Sequence, residues 1–110
     1  MAAEPNIRPG VYSNMRFMTE DLIGMEIFVL YSRDGYYALV QCSAAEPNVP
    51  ELVPLKVHGQ SISFTLSGPY SSDCGGTAFA GTIGRGSLSG SFAGSKNMIR
   101  LQRRASHWQK

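Results

Sequence analysis

Residues 24–42, GMEIFVLYSRDGYYALVQC, carry the reading on which the fold turns. They hold two β-rich runs, Met25 to Tyr31 and Tyr36 to Gln41, joined by Ser32-Arg33-Asp34-Gly35. Gly35 can adopt the positive φ that a tight turn, or a type I turn with a bulge, requires, so the stretch reads as a β-hairpin. Ile23, Met25, Ile27, Val29 and Tyr31 share one face at period two, and Gly24, Glu26, Phe28, Leu30 and Ser32 share the other. The second face is too apolar for plain solvent, and a lone hairpin is marginal in water. Both faces therefore need cover, from further strands or from a partner, and Phe28 and Leu30 form the candidate partner surface. Register stays open at this point. Arg33-Asp34-Gly35 as a three-residue loop and Asp34-Gly35 as a two-residue loop differ by one position, which exchanges the faces of the next strand.

Working outward, Gly10 to Phe17 reads as a strand turning back through Thr19-Glu20-Asp21, a geometry that sets Arg16 opposite Glu26. Downstream, Ala45 to Glu51 carries two prolines and reads as a loop. Val53 to Val57 is a short strand broken by Pro54, and is expected at an edge or a bulge. Ser61 to Ser67 alternates cleanly, with Ile62, Phe64 and Leu66 on one side. Thr77 to Ile83, Ser87 to Phe92 and Met98 to Gln102 complete the set. Their small residues and glycines suit the bends that close a small barrel. About eight short strands with turn signals between them predict an all-β chain, a single up-and-down antiparallel barrel rather than an open α/β sheet. Closure removes the unpaired edges that invite aggregation. The expected organisation is a flexible N-terminal segment over 1–9, the barrel over 10–104 and a polar C-terminal tail over 105–110.

Composition agrees. A chain of 110 residues with 43% hydrophobic and 16% charged residues and 12 glycines has room for one core. Its apolar runs fall short of the ~18 residues of a membrane span. Net charge is +2, yet all 8 acidic residues lie at or before Asp73, while Arg85, Lys96, Arg100, Arg103, Arg104 and Lys110 follow it. In a meander whose last strand returns to the first, this asymmetry serves complementarity and solubility. Basic residues interleaved with exposed aromatics would mark a nucleic-acid surface. Arg103-Arg104-Ala105-Ser106-His107-Trp108 offers only a fragment of that pattern, so no nucleic-acid partner is expected. The start, Met1-Ala2-Ala3-Glu4-Pro5-Asn6, has the look of residues left after signal-peptide removal, pointing to a periplasmic or secreted protein, the alternative being an ordinary flexible terminus of a cytoplasmic one.

Cys42 and Cys74 permit one intramolecular pair. Following the meander, the loop that bears Cys74 emerges at the end of the barrel where Cys42 sits, about 10 Å away across one strand at ~4.8 Å per strand. A bridge there would agree with an oxidising compartment, whereas two independent thiols would not require one.

Chemistry-bearing residues are sparse. His58 falls in a turn and His107 in the tail, neither beside an activated serine or cysteine, so no catalytic residue is assigned and the chain reads as a non-enzyme. No CxxC, HxH or spaced carboxylate set marks a metal, and no cofactor is implied. Gly84-Arg85-Gly86-Ser87-Leu88-Ser89-Gly90 fails as a nucleotide loop because its third glycine is one place late and no helix follows. Aromatic residues remain. Tyr12, Tyr31, Tyr37, Phe64 and Phe79 could line a cavity for a small apolar ligand, or could simply fill the barrel.

Gly10-Val11-Tyr12-Ser13, Asp21 to Glu26, Ile62-Ser63-Phe64, Phe79-Ala80-Gly81, Leu88 to Phe92, and Leu101 with Arg103 before a tryptophan together resemble small bacterial proteins with a lipocalin-like meander barrel. The resemblance implies export, with members often lacking an assigned activity. Small exported barrels also include inhibitors of hydrolases, which act through loops or termini, but no reactive motif of such an inhibitor matches. Two functions follow as expectations: a barrel binding an apolar ligand or a protein partner, or an inhibitor or scaffold using Ala3 to Pro9, Glu46 to Glu51 or Gly68 to Gly76.

Overall fold

A computed structural model describes residues 7–68 and 71–109. Its strands are β1 (Gly10–Ser13), β2 (Arg16–Met18), β3 (Asp21–Ser32), β4 (Gly35–Ala45), β5 (Glu51–His58), β6 (Ser61–Thr65), β7 (Ala78–Ile83), β8 (Ser87–Phe92) and β9 (Ile99–Arg103). Sequential strands pair antiparallel throughout from β2 to β9. β1 pairs with both β9 and β3, which closes eight strands into a barrel and leaves β2 outside it. The predicted closed all-β meander is therefore the architecture of the protein.

The expected first strand is split. β1 and β2 lie end to end along β3 in one register, Ser13 opposite Glu26 and Arg16 opposite Ile23, so the expected Arg16–Glu26 pairing is not formed. At the break the Met25 N–H donates to the Asn14 side-chain carbonyl at 2.8 Å, while the Asn14 N–H donates to the Met25 carbonyl at 3.1 Å. A side-chain amide has replaced one rung of the ladder. Gly24 opposite allows it: at φ 118° a Cβ would stand 2.6 Å from Asn14 Oδ1 and 2.7 Å from Met15 Cα.

The central hairpin forms over the residues expected, but its loop is Arg33-Asp34, with Ser32 opposite Gly35, which is neither expected register. The Ser32 hydroxyl decides it by accepting from the Asp34 N–H at 3.2 Å and donating to the Gly35 carbonyl at 3.0 Å. Met25, Ile27 and Val29 of β3 then point inward with Tyr36, Ala38, Val40 and Cys42 of β4. Tyr31, expected on the same inward face, is 45% exposed instead. The β1 pairing ends at Val29, so no strand flanks Tyr31 on that side.

β5 lies between β4 and β6 and is not an edge, yet Pro54 marks it as the sequence suggested. The β5–β6 ladder runs only from His58↔Ser61 to Lys56↔Ser63. Rungs in an antiparallel pair fall on alternate residues, so the next belongs to Pro54, which has no N–H to give. Beyond it the Glu51 carboxylate clasps the seam, accepting from the Ser67 N–H at 2.8 Å, the Ser67 hydroxyl at 2.9 Å and the Gly68 N–H at 2.8 Å.

The disulfide is formed. Cys42 and Cys74 stand 5.2 Å apart at Cα and join β4 to a 3-10 turn at Ser71–Cys74. Of the expected N-terminal segment, residues 1–6 lie outside the described residues. Ile7 is already part of the core, the Tyr12 hydroxyl donates to the Arg8 carbonyl at 2.6 Å, and Arg103 donates to the Pro9 carbonyl.

Candidate functional site: an apolar outer face

The inward side chains form one contiguous hydrophobic cluster. Tyr12, Phe64 and Phe79, three of the five aromatics expected at a ligand cavity, belong to it. Phe64 stacks on Phe79 at 5.0 Å between centroids, and Phe92 meets Phe79 edge-on at 5.2 Å. Phe79 lies across Gly90, where a Cβ would fall 2.5 Å from the ring. The missing side chain on β8 is filled by the ring from β7. Tyr31 and Tyr37 do not join this group: Tyr31 is exposed and in ring contact with Tyr36, and Tyr37 is half-buried opposite Leu30 and Pro54. The structure thus gathers part of the expected set into packing and leaves the rest outside.

On the outer face of β5 to β8 a concavity of about 470 Å³, bordered by Pro54, Ser63, Ala80 and Ser91, reaches down to the buried Phe64 and Phe79. A second, of about 440 Å³, lies on the outer face of β3 and β4. Here alternation has turned large apolar residues outward on adjacent strands. Register places Val11 beside Phe28, Phe28 beside Leu39, and Leu39 beside Leu52, one unbroken row across β1, β3, β4 and β5. Leu30, Tyr37 and Pro54 form a second row alongside. Phe28 is 40%, Leu39 36% and Leu52 59% exposed. The expected partner surface, Phe28 and Leu30, is the β3 portion of this face.

One end of the face is roofed by residues of the expected polar C-terminal tail. Glu26 points outward by alternation yet is buried, because the chain after β9 returns over it. Its carboxylate accepts from the Ser13 hydroxyl at 2.7 Å, the Ser106 hydroxyl at 2.7 Å and the His107 N–H. Trp108 donates from Nε1 to Gln41 Oε1 at 2.7 Å, and Gln41 Nε2 donates to the Asn48 carbonyl at 3.0 Å. The His107 ring stands edge-on to Phe17 at 5.4 Å and to Trp108 at 5.0 Å. The second concavity is the groove between this turn and the sheet, walled by Val11, Phe28, Leu39, Pro50 and Trp108.

Ser13 and Ser106 each donate to Glu26, His58 sits exposed beside a hairpin turn, and His107 reaches Glu26 through its backbone N–H. Among the described residues no three His, Cys, Asp or Glu side chains gather to hold a metal ion. No described helix is long and apolar enough to cross a membrane.

Sequence reasoning missed Leu39, Leu52, Gln41 and Trp108 as members of this face. A signal existed for two of them: once Ala38 and Val40 are set inward, Tyr37, Leu39 and Gln41 must point out. Trp108 carried no such signal, because nothing local tells where residues after β9 return. Comparison with known proteins leaves the geometry to speak alone, since no family model, no curated protein and no solved structure matches the chain.

Proposed function

We propose that this protein is a non-enzymatic binding module whose barrel presents the outer face of β3, β4 and β5 to a protein partner. One observation carries the reading: an unbroken row of large apolar side chains on adjacent strands, facing away from a core that is already complete. Contiguous exposed apolar surface opposes solubility and adds nothing to the packing beneath it, which is why such surface marks binding sites. Exposed Val49 and the Glu46 to Glu51 loop border the same face, so action through that loop, as an inhibitor or scaffold would use, belongs to this surface too. The Cys42–Cys74 bridge supports work in an oxidising compartment, periplasmic or secreted.

A photo-crosslinking residue placed at Leu52, at Leu39, or at Thr82 on β7 tests the reading in the native cell. One defined heteromeric product from the first two positions and none from Thr82 is expected. Equal labelling from all three positions, or none from any, removes the proposal.

A second reading, a small apolar ligand, draws support from the concavity over Phe64 and Phe79. A thermal-shift screen with fatty acids and neutral lipids distinguishes it, because a ligand seated there raises the melting temperature without any partner.

A further inference from the structure

Arg103, the last residue of β9, and Arg104 after it both border a concavity of about 420 Å³, walled also by Val11, Ala105 and Gln109. Neither arginine has a carboxylate partner: among the described residues the one ion pair joins Arg33 to Asp34. Both guanidinium groups are nevertheless held in place. Arg103 donates from Nη1 to the Pro9 carbonyl, and its Cζ lies 5.8 Å from the centroid of the Tyr12 ring. Gly10 makes room for it, since a Cβ at that position, where φ is 133°, would stand 2.8 Å from Arg103 Cζ. Arg104 donates from Nη2 to the Met15 carbonyl at 2.8 Å, and its backbone N–H donates to the Val11 carbonyl at 3.2 Å. A backbone carbonyl fixes a guanidinium without neutralising it, and each fork keeps further N–H donors. Gln109 adds another donor: its Oε1 accepts from the Ser106 N–H at 3.2 Å, which leaves the Nε2 hydrogens without a partner. Glu26, the carboxylate of the neighbouring groove, accepts from Ser13, Ser106 and His107 and does not line this concavity.

Two positive charges fixed on one concavity repel each other, and the donors around them lack acceptors. An oxyanion relieves both, and the planar guanidinium fork matches the two oxygens of a carboxylate. Because these groups are already positioned, little side-chain freedom is lost on binding. The concavity shares Val11 and Gln109 with the groove beneath Trp108, and Val11 begins the row that runs through Phe28 and Leu39 to Leu52. It therefore adjoins the partner face at its β1 end. We propose that Arg103, Arg104 and Gln109 form an oxyanion pocket at the rim of that face, and that it receives the carboxylate of an aspartate or glutamate of the bound protein. The inference rests on the reading of the face as the partner surface and adds the charge of the residue seated at its edge. An apolar row alone fixes neither the direction nor the register of a partner, whereas a charge pair at one end helps to set both.

The full chain is titrated with the α-amide of N-acetyl-glutamate, with its neutral glutamine counterpart and with inorganic phosphate, at one ionic strength made up with sodium chloride. The arginine Nε–H and Gln109 side-chain amide resonances are followed. The glutamate compound should move the Arg103, Arg104 and Gln109 signals saturably, at least about tenfold more tightly than the glutamine compound, a factor equal to about 1.4 kcal/mol. Phosphate should bind no more tightly than the glutamate compound, and Arg85, exposed on the turn between β7 and β8, should not follow the same curve. Arg104→Gln should weaken the binding about tenfold, and Arg85→Gln should leave it unchanged. Equal shifts with the glutamine compound, no saturable shift with any of the three, or Arg85 titrating in parallel with the pair overturns the pocket. Tighter binding of phosphate overturns its assignment to a carboxylate. Should the pocket fail while a crosslinker at Leu52 still captures the partner, the pocket falls alone. Should Leu52 capture nothing while the glutamate compound still binds, the partner face falls and the oxyanion pocket stands without it.

Discussion

The two halves of this barrel share an interior and differ on the outside. In β6, β7 and β8 the outward positions hold Ser61, Ser63, Thr65, Ala78, Ala80, Thr82, Ser89 and Ser91. In β3, β4 and β5 they hold Phe28, Leu30, Tyr37, Leu39, Leu52 and Pro54, flanked by the polar Glu26, Gln41, Lys56 and His58. Inward positions are apolar in both. Strand pairing and core burial place the same demands on each half, so they explain the inner faces and the small, polar outer face of β6 to β8. They do not explain large hydrophobic groups turned toward solvent. What one half has in excess of the requirements of folding is what the proposed partner face rests on.

The sharpest way to break the comparison is to remove what both halves share. Phe79→Ala takes out a ring packed on Phe64, Phe92 and Gly90, and should cost about 3–5 kcal/mol in urea unfolding. A loss near that of a surface change would mean the interior is not the packed cluster described. Next comes the covalent tie between the halves. Replacing Cys42 and Cys74 with alanine releases a bridge spanning 32 residues and should cost about 3–4 kcal/mol, read from the same unfolding curves.

Glu26→Ala acts on the apolar half alone. It strands the Ser13 and Ser106 hydroxyls and the His107 N–H, an expected loss of about 2 kcal/mol. Because the turn over the face is then untied, Trp108 emission should shift to the red in the folded protein. Unchanged emission would show that the turn is held by something other than the carboxylate.

Glu51 sharpens the boundary between the halves. The Ser67 N–H first, then the Gly68 N–H and the Ser67 hydroxyl, hold its carboxyl below the ordinary value of 4.5, against a smaller opposing effect of desolvation. A folded-state pKa below the unfolded one contributes stability present above the unfolded pKa and lost as pH falls through the folded one. The wild-type advantage over Glu51→Gln should therefore be complete at neutral pH and shrink as pH drops from about 4.5 downward, small throughout because the group is solvated. An advantage that grows on acidification would contradict the clasp. The smallest effect is the most telling: Leu52→Ser should change stability by no more than about 0.5 kcal/mol while eliminating partner capture.

Much of this was available before any coordinates. Alternation in β3 grouped Ile23, Met25, Ile27, Val29 and Tyr31, of which Met25, Ile27 and Val29 are buried inward, the prolines marked the loop after β4, and Pro54 flagged a break in its strand. The cysteine pairing followed from counting reversals in a meander. Less was legible where a side chain overrode the backbone. Asn14 took a rung that should have been a carbonyl, splitting the first strand, and the Ser32 hydroxyl chose a loop one residue earlier than the glycine suggested. Both are decided by single hydrogen bonds, which leave no periodic trace.

By itself the sequence determined the class of fold, the number of reversals, much of the core outside β4 and the pair of sulfurs that could meet. Each depends on local alternation or turn chemistry, which a short window records. Only tertiary structure decided that Phe28, Leu39 and Leu52 form one row, that Glu26 is buried from outside the barrel, and that Trp108 closes a groove against them. Those facts depend on register between strands and on the path of the chain after β9, long-range pairings fixed by the whole closed sheet.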